Sequence, residues 1–386
     1  MKGESSSIPA VVVDTGSALI KAGITGRMEP QTIFSNIIGY PTKVNAFADL
    51  EDTNIEYYVG DDALERPSIK NYSYPMQKKR IISLDSMQRV WYYMFFQKLQ
   101  INPNEISVIY AEPLITNEKD RELILESFFD IFWVPSLSLV SQSLLALYSV
   151  GNITGIVIDI GEEITTLTPF YEGFMLTPLT RVLEFGGNHV TKYLHLLLKQ
   201  NGYNLTSKKE LSILKEIKEY HCFVDTKLNS TNKDRSFLET IKIKKILPDG
   251  QFMRVDEELF EAPELLFYPE KAHIPIEPLA ENILQVVKNC DISIRKELLS
   301  NIVLSGASTT FNGFPERLKQ ELVQLTNSKN IGIIATDYRH LATWKGGSLY
   351  YFMPSFTEKL MKKRDYLREG TSILERIDEE DKNPLL

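Results

Sequence analysis

One phrase occurs twice in this chain and constrains it more than any other feature. Residues 155–166 run Gly-Ile-Val-Ile-Asp-Ile-Gly-Glu-Glu-Ile-Thr-Thr, and residues 11–21 run Val-Val-Val-Asp-Thr-Gly-Ser-Ala-Leu-Ile-Lys. In each copy an apolar run ends in an aspartate, Asp14 or Asp159, and a glycine, Gly16 or Gly161, follows two residues later. β-Branched and apolar residues then resume, which is the pattern of a buried strand turning into a hairpin. A carboxylate at a strand end beside a tight turn suits a phosphate-bound Mg²⁺, with turn N–H groups facing the phosphate oxygens. Asp-x-Gly alone is also ordinary turn chemistry. Two copies, each opening about half the chain, point instead to a duplicated fold closing on one ligand.

Length and composition narrow the classes. A chain of 386 residues has room for two or three domains with proper cores. A hydrophobic content of 43% and a charged content of 24% are those of a soluble globular protein. The net charge of −8, from 43 cations and 51 anions, argues against nucleic acid as a direct partner. Two cysteines, Cys222 and Cys290, make neither a disulfide framework nor a zinc site and fit a reducing compartment. No run of 18 apolar residues and no apolar leader at residues 1–9 is present, so neither a membrane nor secretion is expected. The four Asn-x-Ser/Thr sequons, at Asn71, Asn152, Asn204 and Asn229, then read as chance. Cytoplasm is the expected location, with the nucleus as the alternative.

Along the chain, residues 10–36 read as two or three strands and 42–56 as an exposed acidic loop. Lys78-Lys79-Arg80 reads as a solvated turn. Residues 84–99 carry Met87, Val90, Trp91, Met94 and Phe95 on one helical face. A buried strand is expected at 107–111, a helix capped by Asn117 after it, and a third helix over 136–150 carrying Gln142. Gly186-Gly187 opens a helix to about residue 200, and 208–224 forms an amphipathic one bearing Lys218 and Glu219. Residues 226–260 read as a β-ribbon turning at Pro248-Asp249-Gly250, and 263–278 as irregular. Helices are expected at 279–289 and 292–299. The strand at 301–305 then enters the small-residue loop Gly306-Ala307-Ser308, where backbone can approach a ligand closely. Helices from Pro315 and Trp344 follow, and the tail ends in an acidic run at 378–381.

Taken together and in order, these segments resemble the actin family over nearly the whole chain. The carrying stretches are 12–23, 58–63, 74–75, 142–151, 154–165, 171–173, 217–219, 247–250, 290–292, 303–313 and 344–348, with Cys222. The resemblance implies an α/β actin-like two-domain ATPase fold, with duplicated RNase-H-like domains around a nucleotide cleft holding ATP or ADP with Mg²⁺. It divides the chain into residues 1–142 with 342–386, and 143–341, with small outer subdomains near 36–74 and 186–274. Position by position, it implies that Gly16, Ser17 and Lys21 meet the β-phosphate. Asp14 and Asp159 flank the metal through water, and the turn of Gly161 to Thr165 covers the γ-phosphate. Gln142 positions the attacking water. Lys218 and Glu219 flank the adenosine, Gly187 is a further nucleotide-binding position, and Gly306, Ala307 and Ser308 form the remaining wall. Tyr148 and Gly151 border the cleft at which an amphipathic partner helix docks.

Departures from the family pattern matter equally. Actin's second phosphate turn reads Asp-Ser-Gly-Asp-Gly, whereas 159–163 reads Asp-Ile-Gly-Glu-Glu. A carboxylate about 5 Å from a phosphate charge opposes it by ~3 kcal/mol at an effective dielectric near 20. The histidine that shares water activation is replaced by Thr166, removing one proton relay. Ala18 and Ala307 replace glycines, and His340 replaces a lysine near the adenine. The segment at 44–56, which inserts into the next subunit in actin, is longer and acidic here, and the hydrophobic plug at 270–279 carries charges. Burying those carboxylates would cost several kcal/mol, roughly, so long homofilaments are disfavoured. The expected role is a structural or adaptor subunit of a cytoskeletal or other multi-subunit assembly, with weak or absent hydrolysis. The alternatives are a nuclear actin-related subunit of a chromatin-remodelling complex and a polymerising actin-like ATPase.

Overall fold

The computed structural model describes residues 9–41, 56–66, 69–226 and 242–376. The acidic loop at 42–56 falls outside them except for Glu56, and the acidic tail at 378–381 lies wholly outside. The chain divides into two compact units, residues 1–152 with 341–386 and residues 153–340.

The first unit is built on a six-stranded sheet. Its centre is the strand Ala10–Thr15, buried along its whole length because Ala-Val-Val-Val presents apolar side chains to both faces. It pairs antiparallel with Leu19–Ile24 and parallel with Ser107–Glu112, which pairs parallel with Ser136–Ser141. Thr32–Ser35 and the short Met361–Lys362 close the two edges. On one face pack Met87, Val90, Trp91, Phe95, Phe128 and Phe129. The expected helix at 84–99 is α-helical only over Leu84–Tyr92; Tyr93–Leu99 winds more loosely, in π form. Asn117 caps Glu118–Glu126 as expected, its side chain accepting from the Asp120 N–H at 2.8 Å.

Against the opposite face lies the helix Ala342–Tyr350, packed on Gln142–Tyr148. The glycines of the 344–348 segment allow this approach: a Cβ at Gly346 would stand 1.7 Å from the Leu145 carbonyl oxygen. The third helix expected over 136–150 needs correction. Residues Ser136–Ser141 form a strand, and the helix begins at Gln142. Ser-Leu-Ser-Leu-Val-Ser has period-two alternation, and pairing with Ser107–Glu112 satisfies its backbone in the sheet. The change of period at residue 141 places Gln142 at a helix start rather than mid-helix.

The second unit repeats this plan. Gly155–Ile160 pairs antiparallel with Thr165–Tyr171 and parallel with Ile302–Ser305, which pairs with Ile333–Ile334. Phe174–Met175 and Arg181–Leu183 both join the Thr165–Tyr171 strand. The turn at 170–173 is left-handed at Glu172 and Gly173, with φ of 49° and 86°. Gly187–Gln200 and Leu279–Asn289 match the expected helices. Lys208–Tyr220 stops before the expected residue 224, and Glu258–Glu264 is helical where a ribbon and irregular chain were expected. The ribbon itself is confined to Ile243–Ile246 and Phe252–Val255, and 227–241 lies outside the described residues. One buried ion network links these elements: Arg317 bonds Glu264 through two nitrogens and Glu321 through a third.

Candidate functional site

The two Asp-x-Gly turns are the same structure built twice. In the first unit the Gly16 N–H donates to the Leu19 carbonyl at 2.9 Å; in the second, the Gly161 N–H donates to the Ile164 carbonyl at 3.0 Å. Each aspartate ends a central strand and is nearly buried, at 5% exposed for Asp14 and 9% for Asp159. Each is flanked on one side by the antiparallel hairpin strand and on the other by a parallel strand.

In the first unit the carboxylate of Asp14 is held from both oxygens. Lys21, directly opposite in register, brings Nζ to 3.2 Å of Oδ2, while Gln142 Nε2 donates to Oδ1 at 3.0 Å and to the Thr15 carbonyl at 3.2 Å. A carboxylate only accepts, so the Gln142 amide must present its NH₂ to Asp14. Gln142 thereby positions Asp14. The turn carries a second set of supports that the sequence did not single out. Asn36 Nδ2 donates to the Gly16 carbonyl at 2.9 Å, and its own N–H donates to the Ala18 carbonyl at 2.8 Å. The Lys79 N–H donates to Ser17 Oγ at 3.0 Å, which leaves the Ser17 hydroxyl proton available to an anion. In the Lys78-Lys79 turn Lys78 is exposed and Lys79 half-buried, and the turn touches the site through that bond. Asn36 is a lone polar residue between two short strands and has no pattern by which it could have been found.

In the second unit Thr166 takes the place of Lys21. It lies opposite Asp159 in register, fully buried, and its hydroxyl has no hydrogen-bond partner. The carbonyl of Gly161 accepts from the Gly187 N–H at 2.9 Å and from Ser308 Oγ at 3.1 Å, and the Asn188 N–H donates to the Glu162 carbonyl at 2.7 Å. The start of the Gly187–Gln200 helix thus lies directly on the turn. Glycine is required at its edges: a Cβ on Gly187 would stand 2.5 Å from Ser308 Oγ, and Gly306, at φ 88°, passes 2.3 Å from the Ile160 carbonyl by the same measure. The Gly186 N–H donates to His189 Nδ1 at 3.2 Å. Burial, reinforced by the Lys192 cation, lowers the His189 pKa and keeps that nitrogen an acceptor.

The remaining candidates separate. Lys218 is buried, with Nζ 3.6 Å from Glu162 Oε2 and 3.4 Å from the Gly187 carbonyl. Glu162, a departure from the family pattern that placed negative charge beside a phosphate, is therefore already paired with a cation. Glu219, one residue on, faces outward and is exposed, as is Ala307. Thr165 is buried and donates its hydroxyl to the Phe185 carbonyl at 2.8 Å, so it ties the hairpin to the 186–187 loop rather than presenting that proton to a ligand. In the first unit Tyr148 is half-buried and stacks on Tyr350 at 6.4 Å, and Gly151 is exposed with φ 73°.

Among the described residues no group of three or more His, Cys, Asp and Glu side chains could hold a metal alone. A cation at either turn would need ligands beyond the protein, which is how Mg²⁺ is bound through phosphate oxygens and water. The residues fit that role. Ser17 and Lys21 offer a hydroxyl donor and a cation for phosphate while Gly16 closes the turn that carries them, and Asp14 and Asp159 each offer oxygen ligands at a strand end. The family model for actin matches residues 5–377, nearly the entire chain, with its two α/β units and repeated hairpin turns. The chain belongs to the actin family.

Proposed function

We propose that this protein is a divergent actin-family structural subunit that binds Mg-ATP or Mg-ADP, hydrolyses it slowly or not at all, and works within a cytoskeletal assembly in the cytoplasm. The observation that carries this reading is the difference between the two turns. The first keeps two phosphate-directed groups, Ser17 and Lys21, and a carboxylate for a cation, Asp14, which Gln142 holds in place. The second keeps the backbone geometry of a phosphate turn, but places Thr166, which cannot relay a proton as an imidazole does, opposite Asp159.

Bound nucleotide would supply the phosphate charge that Lys21 and the Ser17 proton meet, and its Mg²⁺ would draw on Asp14. Gln142 holds Asp14 in orientation through one amide N–H. In the second unit the Glu162 carboxylate is paired with Lys218. Affinity obtained this way stabilises the folded protein by mass action without requiring turnover. Partner proteins of the assembly are expected at the surface near Tyr148 and Gly151, with no role for nucleic acid or membrane. Among the described residues no helix is long and apolar enough to cross a membrane.

The test is the nucleotide content of the purified protein, desalted in Mg²⁺ buffer, denatured, and assayed for ATP and ADP per chain. Stoichiometric ATP is the expected result. Stoichiometric ADP would overturn the claim of slow hydrolysis, and an empty site would overturn nucleotide binding itself.

A further inference from the structure

The start of the Gly187–Gln200 helix is clipped to the second turn by consecutive groups of the chain. The Phe185 carbonyl accepts from the Thr165 hydroxyl at 2.8 Å, the Gly187 N–H donates to the Gly161 carbonyl at 2.9 Å, and the Asn188 N–H donates to the Glu162 carbonyl at 2.7 Å. The approach is close enough that a Cβ on Gly186 would stand 2.6 Å from the Gly161 carbonyl oxygen. Within this series Gly186 is buried, and its N–H donates instead to a side chain, His189 Nδ1, at 3.2 Å. The His189 N–H returns the bond to the Gly186 carbonyl at 3.0 Å. Such a reciprocal pair is the geometry of a capping box, with an imidazole where a carboxylate or amide is usual.

Imidazole matters here because it changes its hydrogen-bonding sense near neutral pH. With Nδ1 accepting, the neutral ring carries its proton on Nε2. A proton added at Nδ1 turns the acceptor into a donor facing a donor. It also places a cation at a helix N-terminus, where backbone N–H groups already present positive charge. The ring is half-buried and lies against Phe185, with centroids 5.0 Å apart. The charges that face it are Lys192 of its own helix and Glu162 and Glu163 of the turn, Glu162 being paired with Lys218 of the Lys208–Tyr220 helix. Burial is the largest influence, and with Lys192 it holds the pKa below the ordinary histidine value of 6.5 against the two carboxylates. A group lowered in this way contributes stability that is complete above the unfolded value and is lost as pH falls through the folded one.

We propose that neutral His189 is the positioning residue of the second turn, holding Gly186 so that Gly187 and Asn188 stay on Gly161 and Glu162, and that its protonation loosens this contact and speeds the release of bound nucleotide. The Thr165 hydroxyl and the backbone groups of the other bonds do not titrate, so acid reaches them through His189. Acid-triggered release rests on the nucleotide reading; the hold of His189 on the turn does not.

The test follows release of the fluorescent nucleotide etheno-ATP from the full-length protein into excess ATP. Amide hydrogen exchange over residues 186–188 of the nucleotide-free protein is measured alongside. Two variants bracket the behaviour: His189→Gln keeps a side-chain oxygen that accepts from the Gly186 N–H and does not titrate, and His189→Leu has no acceptor at any pH. Between about pH 7.5 and about pH 5.5, wild-type release and exchange, the latter corrected for its intrinsic pH dependence, should each rise about fivefold or more. His189→Gln should stay slow throughout, and His189→Leu should be fast throughout. Wild-type pH dependence in His189→Gln, or wild-type slowness in His189→Leu at neutral pH, would overturn the proposal. Failure of the wild type to take up etheno-ATP would instead be the failure of the nucleotide reading. Exchange over 186–188 needs no ligand and still decides the hold on the turn, which a pH-independent rate refutes.

Discussion

Replacing Arg317 by methionine should destabilise the second unit by about 3–5 kcal/mol, the cost of removing one partner from a buried ion network. The geometry sets the expectation. Arg317 is 4% exposed and bonds Glu264 at 2.9 and 3.0 Å, Glu321 at 2.8 Å and the Asp225 carbonyl at 2.6 Å. Its guanidinium also lies 5.2 Å from the Phe267 ring centroid. Methionine keeps most of the stem packing, so the loss is mainly two carboxylates left in a dry site. For a unit of this size each kcal/mol moves the midpoint by about 2–4 °C, giving a fall of about 6–20 °C.

The pH dependence separates this cause from simple repacking. Burial raises the Glu321 pKa above its ordinary value, and Arg317 is what pulls it back down. A carboxyl raised in the folded state favours folding when protonated. That contribution is complete below the unfolded value and is lost as pH rises through the folded value. In Arg317→Met the restraining cation is gone, so the Glu321 carboxyl rises further and the penalty is largest at neutral pH. The deficit relative to wild type should therefore shrink between about pH 7.5 and about pH 5. Differential scanning calorimetry at both pH values is the assay, with Arg317→Met/Glu321→Gln as control, which should recover part of the loss. A deficit under about 1 kcal/mol, or one independent of pH, would refute the view that the network is a buried and mutually dependent charge cluster.

Three further outcomes are expected. Lys21→Met should remove Asp14's cation and weaken nucleotide retention at least tenfold on about 1.4 kcal/mol, read by ATP released per chain after desalting. Gly306→Ala adds a Cβ 2.3 Å from the Ile160 carbonyl at a left-handed position, so it should lower the melting temperature and abolish retention together. Cys222, with its thiol pushed up to about 12 by burial, should resist maleimide at neutral pH while folded and react once the chain is denatured.

What the sequence carried and what it could not follow from range. Gly16, Gly161 and both aspartates were legible because strand, carboxylate and turn glycine are neighbours in the chain. The strand at Ser136–Ser141 was misread because Leu137, Leu139 and Val140 precede a truly helical run without punctuation, and the parallel partner that fixes it lies at 107–112. Asn36 reaches the first turn from the link between two sheets and the Lys79 N–H from a separate hairpin, and backbone donors leave no mark in side-chain pattern. Glu162 presents the sharper case. Read along the chain it is a charge beside a phosphate turn; its sign is cancelled by Lys218, 56 residues on.

That cancellation bears on how a duplicated fold diverges. The two turns share register, closing hydrogen bond and buried carboxylate, so the backbone alone gives neither a binding advantage. The asymmetry lies in the residue opposite each aspartate: Lys21 answers Asp14 with a cation, whereas Thr166 answers Asp159 with a hydroxyl that has no partner. A cation at 3.2 Å pairs with the carboxylate and adds attraction for phosphate, while a neutral buried hydroxyl does neither. Charge for binding is thus retained at the first turn, and the group suited to moving a proton is missing at the second. On the proposed nucleotide reading, retained affinity with diminished turnover would follow from those two positions without any change in fold.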